Sequence, residues 1–140
     1  MKILRIAAYQ LRCASAYIGD VKASDLPAST RKDIKGILPD YAEDAMVIQY
    51  GMVVDELVAK ADPHNWKQAM EHVEQGMKGK DFEKTKQEFF DKKDKKDKYI
   101  LLINDRIADG HHYLARAKFL GITNSLKVLD LSPLRLSSKD

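Results

Sequence analysis

With 140 residues and 44% hydrophobic content, the chain is sized for a single domain, residues 1–140, around one core. Its one cysteine, Cys13, rules out an internal disulfide and a cysteine-rich metal cluster, so a cytoplasmic setting is expected, and no apolar run is long enough to span a membrane. A formal charge of +3 is too small to mark a nucleic-acid binder unless the basic residues gather on one face.

The opening MKILRIAAYQ is basic and apolar, but Arg5, Gln10 and Arg12 interrupt it, which argues against a secretory signal. Asp40 is placed to cap a helix running to about Lys60, with Tyr41, Ala45, Ile48 and Met52 on one face and Met46, Val53 and Leu57 beside them. Such a wide stripe predicts a helix buried on more than one side. Asp62 followed by Pro63 restarts a helix that carries Trp66, Met70, Val73 and Met77 and stops near Gly76 to Gly79. A third helix starts at Asp81 and carries Phe82 and Phe89. The run DKKDKKDK from Asp91 to Lys98 mixes both signs, which suits a solvated connector better than a phosphate-seeking arm. Residues 40–98 are thus expected to form a long helical insertion.

The last third is denser in signals. Tyr99 to Ile103 is an apolar run of strand length, Asn104 and Asp105 are turn formers, and Arg106 to Asp109 returns as a second strand. Gly110 permits a sharp turn closed to other residues. The helix after it presents Leu114, Ala117, Lys118 and Gly121 at helical spacing, before Ser125 to Leu131 resumes as a strand. A loop that feeds a helix N-terminus offers unpaired N–H groups and the positive end of the helix dipole, the physical basis for holding a phosphate.

In its strand, its Asp109-Gly110-His111-His112 turn and the helix and strand that follow, the chain resembles the ParB/sulfiredoxin superfamily. The resemblance covers the C-terminal part well and the N-terminal part poorly, where Val21 to Leu26 is similar to the family's opening strand and following turn. It implies an α+β fold built on a small mixed sheet and a turn that cradles phosphates of a nucleotide or nucleic acid; the cofactor is unassigned, a nucleotide with Mg²⁺ being one candidate. It also implies a phosphate-binding set of Asp109, Gly110, His111, His112, Tyr113 and Arg116. Two positions depart from the family pattern. Tyr113 stands where the motif has an arginine, which removes the planar cation suited to bidentate phosphate contact, and Arg116 lies one turn further along the helix. His111 stands where sulfiredoxins carry their cysteine, so their thiolate chemistry is not expected.

Each residue also has a plainer reading. His111 and His112 either contact phosphate and move protons near neutral pH, or fix the turn through backbone hydrogen bonds. Asp109 either joins Mg²⁺ beside a phosphate or caps the helix. His64 and His72 have no ligand spacing, so no structural metal is expected. The GxxxxGK[ST], GxSxG and HExxH patterns are missing. Two functions follow. One is a ParB-like domain with a phosphate-binding turn, its reaction unassigned. The alternative is a catalytically silent interaction protein, of the kind carried by bacteriophages or plasmids and then located in the cytoplasm or the virion. That protein would meet a partner or a second copy through Tyr50, Trp66, Phe82 or Phe89 on the helical section. If instead the protein is an enzyme, that section should turn its apolar stripes inward and wall the Asp109 to Tyr113 pocket.

Overall fold

The computed structural model describes residues 16–89 and 98–137. Five strands form one mixed sheet: β1 (Ala16–Lys22), β2 (Met46–Met52), β3 (Ile100–Ile103), β4 (Arg106–Asp109) and β5 (Leu126–Asp130). Their spatial order is β1-β2-β5-β3-β4, with β3 parallel to β5 and every other neighbour antiparallel. The α-helices are α1 (Ala28–Ile37), α2 (Val54–Val58), α3 (Pro63–Gly76), α4 (Phe82–Gln87), α5 (His111–Phe119) and α6 (Ser132–Ser137). The fold is therefore α+β with a small mixed sheet, as the sequence indicates.

Both faces of the sheet are covered, because successive side chains of a strand point to opposite sides. Ile100 and Leu102 of β3 join Leu126 and Val128 of β5 in a core that includes Leu57, Val73 and Leu114 from α2, α3 and α5. Leu101 and Leu129, one residue out of phase, join Val47, Ile34 of α1 and Leu134 of α6 in a second core. The central strands β3 and β5 carry near-continuous apolar runs for this reason.

The helix expected from Asp40 to about Lys60 does not form. Its middle is strand β2, which pairs with β1 on one side and β5 on the other. The apolar stripe belongs to a strand: Val47 is buried in one core and Met52 in the other, and a strand covered on both faces imitates a wide helical stripe. The β-branched and aromatic residues Val47, Ile48 and Tyr50 favour the extended form, and Gly51 disfavours a helix. Residues 40–98 consequently are not a helical insertion added to a finished sheet, since they supply one of its internal strands before α2, α3 and α4. The opening strand also starts earlier than Val21, at Ala16, and a 3-10 turn, Ala23–Asp25, follows it.

Other boundaries fall where local chemistry puts them. The Asp62 side chain accepts a hydrogen bond from the Asn65 N–H at 2.9 Å, Pro63 occupies the first turn, and α3 ends at Gly76. Asp81 caps α4 by accepting from the Lys84 N–H at 3.1 Å. Phe89 lies beyond the end of α4 and is buried, whereas Phe82 is exposed. The β3–β4 hairpin turns on Asn104 and Asp105, with φ of 52° and 63°. Two consecutive positive φ values match the strand twist in a two-residue hairpin, and Asn and Asp tolerate them best among side-chain-bearing residues. The run from Asp91 to Asp97 lies outside the described residues.

Candidate functional site

Gly110 joins the end of β4 to the start of α5 with φ 117° and ψ 11°. Space is tight there as well: a Cβ would stand 3.1 Å from Cγ1 and 3.3 Å from Cα of Ile100, which would have to give way slightly. The turn therefore packs directly on β3, and α5 begins at His111 with Gly110 as its N-cap and no side-chain cap. Helix α5 buries Tyr113, Leu114, Ala115 and Ala117. His112 and Arg116, four residues apart, stay on its outer side.

The first turn of α5 opens onto a cleft of about 480 Å³. Asn65 and Gln68 of α3 wall one side, Lys98 leads in from β3, and His112 and Arg116 line it from α5. Among the described residues Arg116 has no ion-pair partner. Lys98 is shared: its Nζ lies 3.7 Å from Oδ2 of Asp109 and 4.0 Å from Oδ2 of Asp33 on α1. The cleft thus combines two cations, one partly neutralised carboxylate and a helix N-terminus without a side-chain cap, a set that favours an anion.

The sequence-derived residues take distinct parts. Asp109 lines the cleft but does not cap the helix, correcting that expectation; its carboxylate turns to Lys98 instead. His111 takes the turn-fixing role, its Nε2 accepting a hydrogen bond from the backbone N–H of Asp62 at 3.0 Å. That bond ties the start of α5 to the start of α3 and places the His111 proton on Nδ1 when the ring is neutral. His112 is exposed and meets His72 of α3 edge to face, ring centroids 5.0 Å apart at 87°. Tyr113 reaches the cleft wall, yet its ring belongs to the core, stacked on Phe89 with centroids 5.2 Å apart at 19°. Burial raises the pKa of its hydroxyl.

Sequence reasoning did not identify Asn65, Gln68 or Lys98 as neighbours of the turn, and it assigned His72 no role. Asn65, Gln68 and His72 lie roughly 40 positions before the turn and reach it through the packing of α3 on α5, whereas Lys98 comes from the segment just before β3. Of the anchors expected on the helical section, Phe89 is buried, and Tyr50 and Trp66 pack against the core. Phe82 stays exposed, while Asn65 and Gln68 of the same section wall the cleft. Among the described residues no three His, Cys, Asp or Glu side chains gather to hold a metal, and no helix is long and apolar enough to cross a membrane.

No family model, curated protein or solved structure matches the chain. The chemistry of the site must be read from its own geometry.

The His111 bond makes that chemistry sensitive to pH. Burial lowers the pKa of the ring, partly opposed by the charges of Asp62 and Asp109, with His112 lowering it further. A base whose folded pKa lies below its unfolded value of 6.5 is held neutral by folding. Its contribution is complete above pH 6.5 and is lost as pH falls through the folded value. Protonation also converts the Nε2 acceptor into a donor facing the Asp62 N–H. We therefore expect denaturant midpoints to fall between pH 7.5 and 5, and to fall less in His111→Gln. An equal acid-side loss in both proteins would remove His111 from the account.

Proposed function

We propose that this protein binds a phosphorylated ligand in the cleft at the N-terminus of α5, as a phosphate-binding domain whose resemblance is to the ParB/sulfiredoxin superfamily. The observation that carries the reading is Arg116, without an ion-pair partner among the described residues and facing the same cleft as the N-terminus of α5. Backbone N–H groups hold the phosphate oxygens, Arg116 supplies a planar cation from the side, and Lys98 adds charge as it exchanges Asp109 for the ligand. In this reading Arg116 does the work that the motif arginine does in the family, from one helical turn later.

Binding without an assigned reaction is the form that the residues favour. Tyr113 contributes its ring to the core and brings no cation to the phosphate. His111 is engaged by Asp62 as a structural acceptor.

Calorimetric titration with CTP, ATP, ADP and a short oligonucleotide, each with and without Mg²⁺, tests the proposal. Arg116→Ala is expected to weaken binding roughly 10- to 150-fold, the loss of about 1.5–3 kcal/mol that attends removal of a hydrogen bond to a charged group. Its outward position on α5 leaves the core untouched, so stability should stay within about 0.5 kcal/mol of the parent. If none of the four ligands binds the parent protein, the phosphate reading fails.

A further inference from the structure

A second hollow, of about 320 Å³, adjoins the phosphate cleft, and His112 and Arg116 line both. The rest of its wall comes from α3 and the turn after it: His72, Val73, Met77 and Lys80. Val73 and Met77, four residues apart, are both buried and give it an apolar floor. Above that floor, which includes the Met77 thioether, stand two imidazoles in perpendicular contact, a guanidinium and the Lys80 ammonium.

These are the partners of a flat ring. Guanidinium and imidazole planes stack on aromatic faces, and a thioether makes favourable contacts with ring edges. An acyl chain would gain only the floor and would set two imidazoles, an ammonium and a guanidinium against hydrocarbon. A second phosphate would find Lys80 and Arg116 but would strand its charge above Val73 and Met77.

We infer that this second hollow receives the ring of the same molecule whose phosphate lies at the start of α5, so that the ligand is a phosphate ester carrying an aromatic or heteroaromatic group. The inference rests on the phosphate reading above. Because one pair of side chains fronts both hollows, a ligand bridges them with a linker of a few atoms, Arg116 holding the phosphate on one side and facing the ring on the other. A nucleobase and a simple aryl group share this chemistry.

The test uses four probes of increasing content: inorganic phosphate, ribose 5-phosphate, phenyl phosphate and AMP. Titrated into the full chain, phenyl phosphate, AMP or both are expected to bind about 5- to 150-fold more tightly than ribose 5-phosphate, the range that stacking on a single ring supplies. A gain with AMP alone assigns the hollow to a nucleobase, and a gain with phenyl phosphate assigns it to simpler aryl groups. Gly76→Leu places the ring. Gly76 lines this hollow one turn after His72, its φ lies outside the left-handed region, and a Cβ built on it meets nothing within 4 Å. The leucine is therefore accommodated by the backbone and fills the space, and the advantage of the ring-bearing probes should disappear while inorganic phosphate binds as before. Equal affinities for all four probes in the parent protein, or an advantage that survives Gly76→Leu in full, would overturn the inference and leave the phosphate reading intact. Failure of every probe to bind would overturn both.

Discussion

Gly110→Val is expected to destabilise the protein by about 2–6 kcal/mol. Two independent effects add at this position. A β-branched residue forced to φ 117° carries strain of roughly 1–3 kcal/mol. The new side chain also overpacks its site, which typically costs about 1–3 kcal/mol more. Here the neighbour cannot withdraw cheaply. One of the close atoms is Cα of Ile100, a fully buried residue whose strand pairs with β5 at Val128. Even asparagine, which tolerates ordinary left-handed angles near φ 57°, would be strained at this more extreme value. Set against a typical stability of about 5–15 kcal/mol, the loss is large enough to see as a shift of the urea midpoint, and in a marginal domain it abolishes folding. A midpoint shift worth less than about 1 kcal/mol would mean that the turn relaxes away from Ile100. Because the expected loss is one of folding, Gly110→Val is a poor probe of ligand binding, and Arg116→Ala is the better one.

Gly110 also marks how far the sequence could be read. The hairpin, the glycine turn, helix α5 and strand β5 were legible because each is fixed by neighbours in the chain: Asn104 and Asp105 set the turn, and Gly110 supplies the angle. The starts of α3 and α4 were legible for the same reason, through Asp62-Pro63 and Asp81. Strand β2 was not. Its residues face two cores assembled from distant segments, so their apolar spacing fits a helix as well as a strand, and only pairing with β1 and β5 decides. The site divides along the same line. The turn and Arg116 come from one continuous stretch, whereas Asn65 and Gln68 reach the cleft, and His72 the hollow beside it, only because α3 lies against α5.

The sharpest difference between motif and structure lies at Tyr113. Read from the motif alone, restoring the arginine should strengthen phosphate binding. Read from the packing, Tyr113→Arg should instead lower stability by about 2–4 kcal/mol. The Tyr113 ring is only 9% exposed and stacks on Phe89, which is itself buried. An arginine here has two courses. If it keeps the path of the tyrosine, it carries a full charge into a core of Leu114, Ile100 and Phe89, where an uncompensated ion is strongly disfavoured. If it swings its head into the cleft, its stem covers only part of the space that the ring filled, leaving Phe89 facing a void; loss of a buried aromatic costs about 3–5 kcal/mol, of which the stem recovers a fraction. The second course is the cheaper and sets the expected range. At roughly 4 °C per kcal/mol for a chain of this size, the melting temperature should drop by about 8–16 °C. Thermal unfolding with and without ligand separates this outcome from the motif's: a variant as stable as the parent that also binds phosphate more tightly would show that the ring is dispensable to the core and that the cleft accepts a cation at position 113.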